Sequence, residues 1–214
     1  KGKGQLMENA FMQQEASGGF CAPRKAQSAP ARAVLFDLGN VLVDFDHMRA
    51  AESLSCFTHR PADEIYRLIF DSELTARFES GRVLPFQFFA EIRRSLDLEI
   101  SFHQFVPVWN EIFFFSEKNE GVYRLASQLK KTHPFLILSN INILHLEYIQ
   151  RTFSLLADLP ILASCEAGAC KPDPVVYNQA LQRLGVAAES VFYADDRAEL
   201  VSGASRLGIQ GHIF

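Results

Sequence analysis

Residues 33–44, AVLFDLGNVLVD, constrain this chain most. Three apolar residues, Val34, Leu35 and Phe36, deliver Asp37, and the chain then enters a loop holding Gly39 and Asn40. A continuous apolar run fits a parallel strand covered on both faces, whose end alone meets solvent. Asp37 therefore reads as a carboxylate at the mouth of a buried strand. Gly39 is expected to hold a backbone angle that a side chain disfavours, and Asn40 tolerates the same reversal. In an open α/β sheet, ligands bind at the carboxyl ends of the strands, which places Asp37 for chemistry. Taken alone, the stretch also fits a loop acid capping the next helix.

Three more apolar runs follow at intervals, 135–138, 161–163 and 191–194, and a last short strand is expected over 209–214. Helical patterns at 117–131, 142–151, 174–184 and 198–207 separate them, with Gly185 as a stop signal. In the first, Val122, Leu125, Ala126 and Leu129 share one face. This alternation predicts an α/β fold with a doubly wound parallel sheet. Residues 44–115 differ. Pro61 and Pro85 sit where helices begin, and Ile65, Leu68 and Ile69, then Phe102, Phe105, Trp109 and Ile112, recur at helical spacing. The stretch reads as all helical and is too long for a crossover, which predicts an inserted helical domain. The expected organisation is a tail over residues 1–31, a core over 32–45 and 116–214, and a helical insertion over 46–115. The tail reading follows from Gly, Ser, Gln, Ala and Pro richness without sustained apolar periodicity.

Composition narrows the function classes. The chain has 214 residues, 48% hydrophobic, nineteen of them Phe, and a formal net charge of only −4, as suits a globular protein with a sizeable core. Without clustered Lys and Arg, neither nucleic acid nor an anionic membrane is the expected partner. The cysteines, Cys21, Cys56, Cys165 and Cys170, form no CxxC pair and no zinc spacing. No apolar stretch reaches membrane-span length, and a reducing cytoplasm is the expected compartment.

Strand ends carry the chemistry. Asp37, Ser139-Asn140 and Asp195-Asp196 each follow an apolar run, and Lys171 stands before Pro172 in the loop after the third run. Parallel strands open on one edge, so these groups converge there. Three carboxylates together repel, which favours raised pKa values or a bound cation, and Mg²⁺ matches carboxylate and carbonyl oxygens. Read singly, Ser139 is a helix N-cap and Lys171 a solvated charge.

FDLGNVLVD, LSN, the lysine of CKPDPVVY, YADD and GASRLGI occur in an order and context that resemble the haloacid dehalogenase-like hydrolase superfamily over residues 33–214. The resemblance is to its phosphatases with a helical cap on a Rossmann-like core. DLGNVLVD and SNINILH are similar to the branch that includes bacterial sugar-phosphate phosphatases. The resemblance implies that Asp37 attacks phosphorus to form an aspartyl phosphate, which water hydrolyses. It implies that Ser139 and the Asn140 amide hold phosphate oxygens and that Lys171 neutralises phosphate and Asp37. Mg²⁺ would be held by Asp37, the Gly39 carbonyl and Asp196, with Asp195 sharing the role or standing behind it. Such groups supply the positioning and charge stabilisation of phosphoryl transfer.

Two positions depart from the family pattern. Gly39 stands where a second acid usually protonates the leaving oxygen, with Asp44, Asp46 and His145 as candidate substitutes. Glu199 and Leu200 replace polar residues that usually support the metal, predicting looser support. His47, His59, His103, His133 and His212 show no joint metal spacing. The expected function is a Mg²⁺-dependent phosphomonoester hydrolase for a small phosphorylated metabolite such as a sugar phosphate. Alternatives are a metal-independent 2-haloacid dehalogenase-like hydrolase, which Asp195-Asp196 argues against, and a catalytically weak phosphate-binding or regulatory relative.

Overall fold

The computed structural model describes residues 30–214. The expected tail, with Cys21, lies outside the described residues apart from its last two positions. In chain order, β1 (Ala33–Phe36) leads to β2 (Asp44–Phe45), then α1 (His47–Ser55), α2 (Ala62–Ile69), α3 (Glu73–Glu79), α4 (Pro85–Leu96), α5 (Phe102–Asn110) and β3 (Phe113–Phe114). There follow α6 (Glu117–Leu129), β4 (Phe135–Ser139), α7 (Ile143–Thr152), β5 (Ile161–Ala163) and a single turn, α8 (Ser164–Ala167). The chain closes with α9 (Pro174–Leu184), β6 (Val191–Asp195), α10 (Ala198–Ser205) and β7 (Gln210–Ile213).

The four apolar runs and the closing strand form one parallel sheet in the order β5-β4-β1-β6-β7, as the alternation predicts. Strand side chains alternate between faces. Val34 and Phe36 thus join Phe135 and Ile137 in one apolar layer, while Ala33 and Leu35 join Leu136, Leu138 and Tyr193 in the other. Register sets the chemistry: Phe36 pairs with Ile137 on one side and Ala194 on the other, so Asp37 and Asp195 leave the sheet at one level. Gly185, at φ 68°, ends α9 in the left-handed conformation that glycine adopts without a Cβ clash.

Helices α1–α5 gather their own apolar cluster around Ile65, Ile69, Phe78, Phe88, Phe105 and Trp109. Local signals start them: Asp46 accepts from Met48 N, Ser72 accepts from Thr75 N, and Pro85 opens α4. Truncating the fully buried Trp109 to Ala would cost about 3–5 kcal/mol. Two readings of helical faces need correction. Leu68 and Leu125 are 42% and 49% exposed, because each sits at the rim of its apolar stripe.

The all-helical reading of 44–115 is also corrected, at its ends. β2 and β3 pair antiparallel, Asp44 with Phe114 and Phe45 with Phe113. Two residues per strand leave no alternation to read, and only the return of the chain beside its entry point creates the pairing. Asp44 anchors this ribbon to α6, accepting from Ser116 Oγ at 2.7 Å and Asn119 Nδ2 at 3.2 Å and pairing with Lys118 at 2.9 Å. Burial raises its carboxyl, but these partners outweigh burial and hold it below the usual range. Among the described residues no helix is long and apolar enough to cross a membrane.

Candidate active site

The β1 strand ends in a compact reversal that fixes Asp37. Its amide donates to Ala194 O at 2.8 Å, and Leu42 and Val43 amides return to Leu38 O at 2.9 and 3.0 Å. Asn40, at φ 54°, takes the left-handed turn. The backbone angle expected of Gly39 therefore belongs to its neighbour. Gly39 lacks a side chain for a different reason, since a Cβ there would lie 2.6 Å from Cε1 of Phe45.

Lys171, with a side chain 1% exposed, reaches in from the loop after α8. Its Nζ donates to Asp37 Oδ1 at 2.8 Å and to Asp195 Oδ2 at 2.6 Å. Asp195 is fully buried, and Tyr193 OH also donates to its Oδ2 while Arg197 N donates to Oδ1 at 2.9 Å. Both Asp195 oxygens are thus engaged by the protein. Asp196 is partly buried and accepts from Asn40 Nδ2 at 3.0 Å. Burial pushes the Asp37 carboxyl up to about 6, with Lys171 opposing and Asp195 adding to the rise.

Ser139 ends β4, 4% exposed, on the wall of the cavity that Asp37 lines. Asn140 follows and ties two loops together: its Nδ2 donates to Lys171 O at 2.9 Å and its Oδ1 accepts from Lys171 N at 2.7 Å. The Asn140 side chain is therefore spent on holding the lysine loop, and its backbone amide is the group left for an anion. Next, Ile141 N donates to the buried Ser164 Oγ at 2.9 Å. The sequence-predicted residues Asp37, Gly39, Ser139, Asn140, Lys171 and Asp196 all line one cavity of about 200 Å³, joined by Asn40, with Asp195 buried behind it.

The candidate substitute acids are each engaged elsewhere. Asp44 is held in the ribbon and Asp46 caps α1. His145 lines the cavity, but its Nε2 lies 3.0 Å from Trp109 O and its Nδ1 2.9 Å from Asn142 Nδ2. Burial pushes it down to about 3, so both nitrogens of a neutral ring are occupied. Phe45, Glu79 and Arg197 are among the lining residues that carry no signal in the sequence. Glu79 follows the buried Phe78 at the end of α3, a place with no local chemical signature. Gly81, at φ 70°, then turns the chain where a Cβ would strike Cys165 O at 2.1 Å.

The family model for haloacid dehalogenase-like hydrolases matches residues 31–208. The chain belongs to this family. It is 27% identical over 186 residues to phosphatase MT3486 of Mycobacterium tuberculosis (strain CDC 1551 / Oshkosh), covering 85% of this chain and 86% of that one. The HAD family enzyme bt-2542 of Bacteroides thetaiotaomicron superposes with a TM-score of 0.76 at 21% identity, over 86% of this chain and 94% of that one. Its structure is also known as a magnesium complex. The L-2-haloacid dehalogenase RSc1362 superposes with a TM-score of 0.63 at 23% identity, over 86% of each chain.

In this haloacid dehalogenase-like hydrolase, one ligand atom from each of Asp37, Asp195 and Asp196 lies within 4.8 Å of the others. The donor set is all hard oxygen and outnumbers the single buried ammonium, so the residues present fit a divalent cation such as Mg²⁺. Glu199 and Leu200 do not face that cluster as polar support. Glu199 accepts from Arg197 Nε at 2.8 Å on the surface, and Leu200 is buried with its carbonyl accepting from Tyr177 OH at 2.8 Å. Protein groups around Asp195 supply the bracing instead.

Proposed function

We propose that this hydrolase is a Mg²⁺-dependent phosphomonoesterase that acts in the cytoplasm on a small phosphorylated metabolite such as a sugar phosphate. One observation carries the reading: Lys171 bridges Asp37 and Asp195 beside Asp196 at a single sheet edge. The phosphatase name of the Mycobacterium tuberculosis relative supports it.

In this reading Asp37 is the nucleophile and attacks phosphorus in line with the leaving oxygen, forming an aspartyl phosphate that water then hydrolyses. Lys171 keeps Asp37 ionised despite its burial and offsets phosphate charge. Ser139 Oγ and the Asn140 backbone amide hold non-bridging oxygens. Asp37, the Gly39 carbonyl and Asp196 hold Mg²⁺, which when bound neutralises phosphate charge and orients the ester. Asp195 fixes Lys171 and so positions rather than coordinates. Residues 46–115 act as a cap over the core of 32–45 and 116–214, excluding water, and the modest cavity selects a small leaving group.

The test is a phosphate-release screen over sugar phosphates, nucleotides and phosphoglycolate, with Mg²⁺ and with EDTA. Mg²⁺-dependent release from at least one small ester is expected. Chloride release from 2-chloropropionate without metal would establish the dehalogenase reading instead, and saturable phosphate binding without turnover the regulatory one.

A further inference from the structure

We propose that Glu79, at the end of α3, is the acid that protonates the leaving oxygen and then receives a proton from the attacking water. This rests on the phosphatase reading. Glu79 lines the same cavity of about 200 Å³ as Asp37 and Ser139 and reaches it from the helical segment. Glu79 is thus contributed by the helical segment, whereas Asp37 and Ser139 come from strand ends of the sheet.

Apart from Ser139 and Asp196, assigned above to the phosphate and the cation, each other proton-bearing group on the cavity wall is disqualified by its own surroundings. Gly39 offers no side chain, and the space beside it holds the Phe45 ring. Both ring nitrogens of His145 are engaged, by Trp109 O and Asn142. His47 is stacked on Phe70 with centroids 4.4 Å apart, and burial pushes it down to about 4, which leaves it neutral. Lys171 is committed to two carboxylates, and Arg197 is paired with Glu199 and too basic to release a proton. Among the described residues the Glu79 carboxylate makes no hydrogen bond or ion pair of this kind, and its backbone is held in place. Ser164 Oγ, fully buried, donates to Glu79 O at 2.6 Å and also accepts from Ile141 N, two residues beyond Ser139. One hydroxyl thus locks the end of α3 to the loop that follows Ser139.

The charged and titratable groups facing Glu79 are few. Arg197 draws its carboxyl down, and the Cys170 thiol interacts with it from the lysine loop, where Arg82 and Lys171 also act on Cys170. Burial outweighs Arg197 and pushes Glu79 up to about 7, in the range where an acid both carries and releases a proton near neutrality. The step balances. Asp37 forms its bond to phosphorus as the ester P–O bond breaks, and the Glu79 proton passes to the leaving oxygen to give the alcohol. Water then attacks phosphorus, the P–O bond to Asp37 breaks, and a water proton returns to Glu79.

The experiment compares the full chain with Glu79→Gln on glycerol phosphate, a poor leaving group, and p-nitrophenyl phosphate, a good one. The loss of kcat on glycerol phosphate is expected to exceed that on p-nitrophenyl phosphate by about 10²-fold or more. The alkaline limb near pH 7 on glycerol phosphate should vanish, as should a carboxyl infrared band titrating in that range. If Glu79→Gln does not fold by circular dichroism, Glu79→Ala carries the same expectation. Equal losses on both esters, or an unchanged alkaline limb, overturn the role of Glu79 alone. A parent chain that hydrolyses neither ester with Mg²⁺ overturns the phosphatase reading and this role with it.

Discussion

A Cβ on Gly39 would lie 2.6 Å from Cε1 of Phe45, so the Phe45 ring fills the volume that a side chain at position 39 needs. Phe45 is in turn held by pairing with Phe113 in the ribbon. Gly39→Asp is therefore an overpacking change and is expected to destabilise the fold by about 1–3 kcal/mol. Gly39→Asp combined with Phe45→Ala should recover most of the loss caused by Gly39→Asp. Urea unfolding of the two single variants and the pair closes the cycle, and strict additivity would show that the ring is not the obstacle.

Asp37→Asn is nearly isosteric but cannot attack phosphorus. Phosphate release from the best ester found should fall by about 10³-fold or more, while the urea midpoint stays near that of the parent. Activity within a few fold of the parent, with contamination excluded, would remove Asp37 from the nucleophile role.

Asp195 and Asp196 are adjacent in sequence but differ in their partners. Asp196 faces the cavity with one bond from Asn40, whereas Asp195 holds Lys171, Tyr193 and Arg197 N. Asp196→Ala should weaken Mg²⁺ binding by calorimetric titration with little change in stability. Asp195→Ala removes a partner of a buried ammonium and should cost about 3 kcal/mol or more in urea unfolding. A reversal of these two effects would exchange the roles.

His145 is held at about 3 by burial, far below an ordinary imidazole. The unfolded chain therefore binds a proton at this residue between about pH 3 and its ordinary pKa near 6.5, and the folded chain does not. The stability that follows from keeping His145 neutral is fully present above pH 6.5 and lost as pH falls toward 3. Its ring proton resonances should stay flat between pH 5 and 8 in the folded protein. A midpoint inside that range would contradict the buried neutral ring.

The sequence by itself determined the strands of the parallel sheet and the family. Continuous apolar runs identify strands buried on both faces, and a polar residue at the end of each run locates the ligand-binding edge without any distance being known. Asp37, Ser139 and Asp196 stand out in this way because each lies at or just past the end of an apolar run, whereas Lys171 stands out only through the family resemblance of its loop. Tertiary structure alone decided what depends on two distant segments meeting. The assignment of Asp195 to Lys171 and Asp196 to the cavity, the Phe45 ring against Gly39 and the pairing of β2 with β3 are such meetings. Glu79 belongs with them. An acid at a helix end is ordinary in sequence, and only the docking of α3 on Ser164 carries it to the cavity wall. Backbone periodicity records which face of an element is buried, whereas a hydrogen bond across 85 residues, as from Ser164 Oγ to the Glu79 carbonyl, is recorded nowhere short of the folded chain.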